Sequence, residues 1–551
     1  MDHPLFLSSG PGDTFFMNEF PDIWDYGQLL AFSGMDGQTD FWNGLCLRTA
    51  RGEYAFELKI QDPEQKAKIR YAGPAPERVE LTGDFFRFHS GDKTASGVLA
   101  DAWNLVLDGP FQLIDTEDFY DAVAEGSRTL LAVKGRLHPE FLQFTTEDLI
   151  GRRAAFMRSH EPLSGVPISA RRAERKALSQ LKSQVYAPEG MIAHYWSTPD
   201  RWPHRHMWLW DSAFHAIGMR HYSPKLAREF ISAMFDVQQP DGFIPLSACP
   251  TDFNRKRTQP PVLGLAMKLV NEAEPAPEWI AALAPKLEHY LEWLMKHRDS
   301  DGYGLLEWAV EVHENCRSGE SGMDNSPRFD GAVQLDAPDF NAYFASECEI
   351  LAEFLPERRD FWQAQHDRVC RGMNERLWSP EQELYVDYDV AGRGRTDILS
   401  SAGFLPLLCG APTRDMAEKM AAHLTRPETF GTPLRVPSIA ANNPAAYKKD
   451  MWRGPVWTNV NFLIALGLER YGFHGLARSI VQDTLREQEK WYLTCGTFFE
   501  FYDDRKETPP RQLERKGKMA PGEFHPLKMP FHDYGWSATL YLEMINRPEW
   551  R

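Results

Sequence analysis

The residues with most chemical potential are acids set among aromatics and glycines. In Gly319-Glu-Ser-Gly-Met-Asp324-Asn-Ser-Pro-Arg328-Phe, glycine and proline bound Asp324 on both sides, so the segment cannot be regular helix. In Cys495-Gly-Thr-Phe-Phe-Glu500-Phe-Tyr-Asp-Asp504, Glu500 lies between aromatic pairs, and a carboxylate buried there is costly unless it is used or paired. Two such carboxyls suit cleavage of a glycosidic bond. One protonates the leaving oxygen, and the other activates water or attacks the anomeric carbon. Low-dielectric aromatic surroundings help the acid keep its proton near neutral pH. Each residue also has a plainer reading: Asp324 as an Asx-turn or helix N-cap, Glu500 as half of a buried ion pair. Asp503 and Asp504 read as solvated.

Two aromatic clusters accompany them. Met207-Trp208-Leu-Trp210-Asp211-Ser212 follows His204-Arg-His206, and Met451-Trp452-Arg453-Gly-Pro-Val-Trp457-Thr-Asn459 brings an arginine and two tryptophans to a helix start. Tryptophan stacks on the apolar face of a pyranose while its N–H finds a polar partner. Aromatics make up 13% of the 551 residues, with 17 tryptophans, and because large cores also hide tryptophan, position has to decide between the two uses. The two histidines, at i and i+2, point to different helix faces, so no metal is expected. There is no P-loop, dinucleotide glycine fingerprint, GxSxG elbow or HExxH, and no cofactor is expected.

Composition narrows the partners. The formal charge is −17. The basic runs, Arg171 to Lys176 and Arg511 to Lys518, are short and read as solvated surface, so nucleic acid is not expected. No stretch approaches the roughly 18 apolar residues of a membrane helix. Met1-Asp2-His3-Pro4 opens without a basic start or apolar core, so no leader is expected. The 7 cysteines are scattered, odd in number and without CxxC spacing, which favours reduced thiols and a cytoplasmic location. A small carbohydrate is the partner that remains.

These residues need elements to position them. Residues 1–165 read as an antiparallel β-sandwich: Gln28–Ser33, Tyr54–Ile60, Phe85–His89, Ala102–Leu107 and Thr129–Lys134 are β-prone runs, several of them alternating, separated by turn residues and without long helices. Over 166–551 the period becomes helical, with Phe340, Phe344, Cys348 and Leu351 at i, i+4, i+8 and i+11. Candidate helices lie near 169–184, 208–220, 225–238, 260–271, 277–297, 340–354, 357–376, 398–409, 413–425, 456–471, 474–489 and 535–546. Short turns join many of them, as in antiparallel pairs closing into an (α/α)6 toroid. An open solenoid is the competing arrangement, but no fixed period supports it. The long connections 302–338, 427–455 and 490–534 hold the Trp- and acid-rich clusters, and loops of that length tend to be functional.

From about Trp202 to Trp536 the chain resembles glycoside hydrolase family 63, most specifically through Trp210-Asp211-Ser-Ala-Phe-His, Gln239-Pro-Asp-Gly, Gly322-Met-Asp324, Trp452-Arg-Gly-Pro-Val-Trp457 and Phe499-Glu500-Phe-Tyr, in that order. The family includes processing α-glucosidase I, bacterial α-glucosidases and hydrolases of mannosylglycerate and glucosylglycerate. The resemblance implies an (α/α)6 barrel and inverting hydrolysis of an α-glucosidic or α-mannosidic linkage, with Asp324 as general acid and Glu500 as general base. It also places Trp210, Asp211, Gln238 or Gln239, Asp241, Trp452, Arg453 and Trp457 in the sugar pocket, together with Trp308 beside Glu307. The β-rich N-terminal half resembles the sandwich of larger members and is absent from the compact glycerate-glycoside hydrolases, which weighs against a glycerate aglycone. Competing functions are trehalase-like hydrolysis, phosphorolysis, an epimerase or lyase using His204, His206 or Tyr502, and sugar binding without catalysis.

Overall fold

Alternation of apolar and polar residues between 29 and 133 produces two antiparallel sheets. The computed structural model describes residues 23–25, 27–60, 65–114, 118–311, 316–519 and 526–551. The start of the chain, on which the leader expectation rests, lies outside the described residues. One sheet has the order β1 (Leu29–Ala31), β2 (Leu45–Thr49), β3 (Ala55–Ile60), β4 (Gln65–Tyr71), β9 (Phe111–Ile114). The other runs β10 (Tyr120–Glu125), β11 (Arg128–Val133), β8 (Asn104–Asp108), β7 (Lys93–Leu99), β6 (Phe85–Ser90), β5 (Arg78–Leu81). Phe56, Leu58 and Ile69 from the first and Phe86, Phe88, Leu105 and Leu131 from the second bury one apolar cluster. Trp24 sits within it, edge-on to Phe56 at 4.5 Å and to Phe88 at 4.9 Å.

These sheets belong to the first of two units, Met1–His206 with Gln488–Phe498 and His532–Leu542. The same unit holds a helix that the sequence reading lacked, α1 (Thr146–Arg158). Its start is a capping box, in which the Thr145 hydroxyl accepts from the Asp148 N–H and the Asp148 carboxylate accepts from the Thr145 N–H. In α2 (Ile168–Ser183) the expected solvated basic face is not found at Arg175 and Lys176. Arg175 is buried and donates to the carbonyls of Met157 and His160, and Lys176 pairs with Asp533 at 2.6 Å. The charges are inside because each has a partner there.

The second unit is Met207–Glu487, Phe499–Phe531 and Glu543–Arg551. Its helices include α3 (Leu209–Met219), α4 (Pro224–Asp236), α5 (Leu263–Ala273), α6 (Pro277–His297), α7 (Pro338–Phe354), α8 (Arg359–Gly372), α9 (Pro406–Cys409), α10 (Arg414–His423) and α11 (Thr458–Arg470). Two further helices, α12 (His474–Cys495) and α13 (Gly535–Asn546), follow in the chain. Proline opens α4, α6 and α7 at a position where its missing N–H costs nothing. Phe340, Phe344, Cys348 and Leu351 are all buried, as their period requires. The helix expected over 398–409 is instead a 3-10 turn at Ser401–Phe404 and the single turn α9, which Gly410 ends with φ +79°. Pro406 cannot donate back into a preceding helical turn, so the helix restarts there. The consecutive helices α3 and α4 pack together, as do α7 and α8. Among the described residues no helix is long and apolar enough to cross a membrane.

Two buried carboxylates tie the helices of this unit. Glu347 of α7 accepts the N–H groups of Gly264 and Leu265 at the start of α5, and burial pushes its carboxyl up to about 8. Glu543 is fully buried and bonded to Arg220, His221 and Arg547. Burial alone would raise it, but the His221 hydrogen bond and the charges of Arg547 and Arg220 outweigh that and hold it at about 2. A depressed carboxyl contributes stability above its unfolded value, and the contribution is lost as pH falls toward the folded value. The urea-unfolding advantage of wild type over Glu543→Gln is therefore expected to shrink by about 2 kcal/mol between pH 5 and pH 3. A difference that stays constant over that range would show that Glu543 does not carry the acid limb.

Candidate active site

Loops 316–330, 447–457 and 499–519 of the second unit are drawn together by hydrogen bonds. The first is fastened near both ends. Arg317 donates to the Phe329 carbonyl at 2.7 Å. Arg328, fully buried, forks between Asp339 at 2.8 and 2.9 Å and Asp387 at 2.6 and 2.7 Å. Gly322, at φ +71°, lies on the Trp210 ring, where an added Cβ would come within 2.2 Å of Cζ2. Only glycine permits both that backbone and that approach. Trp210 and Asp211 occupy the first turn of α3 and are buried, so the Asp324 segment rests directly on one predicted aromatic.

The next residue links the loops. Asn325 Nδ2 donates to Asp450 Oδ1 at 3.0 Å, and Asn325 Oδ1 accepts the Trp452 N–H at 3.0 Å. The other Asp450 oxygen accepts the Gly517 N–H at 3.0 Å. Beyond this turn, Trp452 and Trp457 stack with centroids 3.8 Å apart and planes 2° from parallel. Trp457 donates from Nε1 to the Met451 carbonyl, while Trp452 Nε1 is buried with no hydrogen-bond partner among the described residues. Val456 and Tyr502 exchange backbone hydrogen bonds at 2.8 and 3.1 Å, which carries the Glu500 segment alongside.

The two predicted carboxylates meet consecutive residues. Arg515 grips Glu500 with two hydrogen bonds, Nε to Oε2 at 2.8 Å and Nη2 to Oε1 at 3.1 Å, in a site where Glu500 is 1% and Arg515 3% exposed. The Phe531 N–H also reaches Glu500 Oε2, and the Arg515 guanidinium lies 4.0 Å from the Phe531 ring centroid. Lys516 Nζ pairs with Asp324 Oδ2 at 2.6 Å, where the lysine side chain is 19% and the aspartate 21% exposed. Cys316 nearby is pushed up to about 12, by burial and then by the Asp324 charge, so it stays a neutral thiol.

Of the other predicted residues, Arg453 and Trp308 bond to residues of this network, whereas the described bonds of Gln238, Gln239 and Asp241 are made elsewhere. Arg453 grips Asp330 at 2.6 and 2.7 Å, and Asp330 lines an open cavity of about 530 Å³. Gln238 donates to the carbonyls of Gly242 and Lys286, Gln239 to that of Val237, and Asp241 accepts from Phe243 N–H and Trp293 Nε1. That turn is braced against α6. Trp308 is fully buried, stacked on Phe340 at 3.8 Å, and donates to Asp339 at 3.0 Å.

Several residues the sequence reading passed over or misplaced are central. Arg515 lies in the basic run read as solvated, and Asp503 and Asp504 are each 1% exposed where solvation was expected. Asp503 is inside because it accepts from Lys449 and the N–H groups of Glu507 and Thr508, and Asp504 because it accepts from the Tyr447 hydroxyl. Only a count of buried acids needing partners pointed to Arg515; nothing local pointed to Asn325, Asp450 or Lys516. Among the described residues, the carboxylates of Asp299, Asp301 and Glu307 lie within 4.8 Å of one another and have the donor type for a hard cation, with Arg376 donating to Asp301 at 2.7 Å.

A model of the "Mannosylglycerate hydrolase MGH1-like glycoside hydrolase domain" matches residues 204–537. The mannosylglycerate hydrolase of Thermus thermophilus is 27% identical, over 61% of this chain and 93% of that protein. The glucosylglycerate hydrolase of Mycolicibacterium hassiacum is 23% identical, over 54% of this chain and 86% of that protein. Among solved structures, a family 63 mannosylglycerate hydrolase from Thermus thermophilus in complex with glucose is 25% identical with a TM-score of 0.55, covering 68% of this chain and 100% of that one.

Removing Arg515 would leave Glu500 buried and uncompensated. Arg515→Met is expected to destabilise the protein by about 3–5 kcal/mol in urea titration, and adding Glu500→Gln should return part of that loss. Wild-type stability in the single variant would mean that the pair is not held as described.

Proposed function

The chain belongs to glycoside hydrolase family 63, among the mannosylglycerate hydrolase-like enzymes, and from that premise we propose inverting hydrolysis of an α-glucoside or α-mannoside at the Asp324–Glu500 centre. It is a glycoside hydrolase, and the names of its relatives support glucose or mannose as the sugar and glycerate among the aglycones. The matched region leaves the β-sheets outside it, so the proposal assigns catalysis to the helical part of the chain. We extend it to the arrangement of those helices as an (α/α)6 toroid with the site at one end, which the close packing of successive helices supports.

The observation that carries the reading is the attachment of the two loop carboxylates to Arg515 and Lys516. Neighbouring Cα atoms are about 3.8 Å apart, so two side chains leaving one dipeptide suit carboxyls at the roughly 6.5–9.5 Å an inverting enzyme needs, with a water between them. Asp324, the more exposed of the two, gives its proton to the glycosidic oxygen as that bond breaks. Glu500, fixed in orientation by Arg515, takes a proton from the water that attacks the anomeric carbon from the opposite face. Trp210, beneath Gly322, and the Trp452–Trp457 stack form the aromatic wall. The buried Trp452 Nε1 offers a hydrogen bond to a sugar hydroxyl.

Asp324→Asn and Glu500→Gln are each expected to lower kcat by several orders of magnitude without unfolding the protein. Anomer-resolved NMR on an α-glycoside should show the β-sugar first. Release of the α-sugar first would exclude inversion, and full activity in either variant would end the assignment.

A further inference from the structure

We propose that Asn459 is a specificity-determining residue of the sugar pocket, its amide holding two adjacent hydroxyls of the pyranose on the side remote from the bond that breaks. This rests on the Trp452–Trp457 stack being the wall of that pocket. Asn459 is 0% exposed, yet among the described residues neither its Nδ2 nor its Oδ1 has a hydrogen-bond partner. A buried amide in that state is costly, and native proteins keep few of them, so the group calls for a partner. Its place in the chain says where that partner comes from. Asn459 stands in the first turn of α11, directly after the N-cap Trp457, and Val456 before it pairs with Tyr502. The Trp457 ring lies 5.0 Å from that of Phe501, the residue after Glu500. The amide is thus carried on the same turn as the aromatic wall and beside the Glu500 segment.

Its direction follows from helix geometry. Asn461 donates to the Thr484 hydroxyl of α12 at 2.9 Å and to the Arg435 carbonyl at 3.3 Å, so that side of α11 is turned to neighbouring chain. Successive residues turn through about 100°, which puts Asn459 about 200° round the helix, facing away from α12. The turn before α11 holds a second orphan, Trp452 Nε1. Neither group is charged, so the ligand that suits them is neutral. A vicinal diol matches the amide atom for atom: one hydroxyl donates to Oδ1 and the other accepts from Nδ2. Asn459 is fully enclosed, whereas the Asp324 side chain, which meets the leaving oxygen, is 21% exposed. The enclosed amide therefore meets the hydroxyls far from the anomeric carbon, those at C3 and C4. Both are equatorial in glucose and in mannose alike, and the 4-hydroxyl is axial in galactose. Asn459 accepts the first two sugars and rejects the third, because a sugar that leaves the amide unpaired forfeits what the right one restores.

The test changes enzyme and substrate together: wild type and Asn459→Ala are compared on 4-nitrophenyl α-glucoside, α-mannoside, their 4-deoxy forms and the α-galactoside. In wild type, removing or inverting the 4-hydroxyl should lower kcat/KM by about 100-fold or more. Asn459→Ala should lose a similar factor on the parent sugars, and removing the 4-hydroxyl should then cost it less than about 5-fold, because the partner is already gone. Asn459→Ser, too short to reach the sugar and easily accommodated in a first helical turn, should give the same cycle. Read as binding of glucose and 4-deoxyglucose by tryptophan fluorescence, the cycle needs no turnover. Equal fold losses on deoxygenation in wild type and variants, as a merely structural amide predicts, would overturn the proposal. So would unchanged glucose binding in Asn459→Ala, or wild-type turnover of the galactoside at the rate of the glucoside. Asp324→Asn tests the underlying reading separately, because it should abolish turnover of every glycoside while keeping the glucose binding that Asn459→Ala weakens.

Discussion

Asp450 gives one carboxylate oxygen to the Asn325 amide and the other to the Gly517 backbone, and thereby bonds its own loop to two others at once. It is 6% exposed, so neither hydrogen bond competes strongly with water. Asn325 extends the link by accepting the Trp452 N–H, which sets the start of the tryptophan stack relative to Asp324. The positions of Asp324, of Lys516 and of Trp452 therefore depend on one another through Asp450 and Asn325, together with the Lys516–Asp324 and Arg453–Asp330 pairs that join the same loops. Replacing such a group leaves the buried Asn325 amide and the part-buried Gly517 N–H without this acceptor on two different loops, a larger cost than loss of one exposed bond.

The same logic recurs wherever the second unit buries charge. Arg328 is enclosed by two aspartates, Glu543 by two arginines and a histidine, and Glu500 by one arginine. Each charge is taken out of water only where planar or bidentate geometry compensates it. The Glu500 pair differs from the others in its setting, since its arginine precedes the lysine that meets Asp324. One short stretch of chain thus addresses both carboxylates, and a shift of that stretch would alter both at once.

Much of the fold could be read from local pattern. β-prone runs, several of them alternating, marked β1, β3, β6, β8 and β11, and the 3.6-residue period marked α7 and α11, because burial on one face is written into neighbouring residues. Helix α1 escaped because its signal is a cap, Thr145 with Asp148, at the end of a strand-rich region. The helix expected before Cys409 was cut short by Pro406. At the site, Asp324, Glu500, Trp210 and Trp452 stood out by type and setting. Arg515, Lys516, Asn325 and Asp450 did not, because their importance lies in partners 15, 192, 125 and 67 residues away. A basic run looks the same in sequence whether it faces water or closes on a buried glutamate.

The Trp452–Trp457 stack has an optical consequence. Two indoles stacked 3.8 Å apart with nearly parallel planes couple their electronic transitions, so they absorb as a pair and not as two independent rings. The pair joins the turn held by Asn325 to the first residues of α11. Its near-ultraviolet circular dichroism would thus act as a built-in gauge of whether that turn is seated, without any label on the protein.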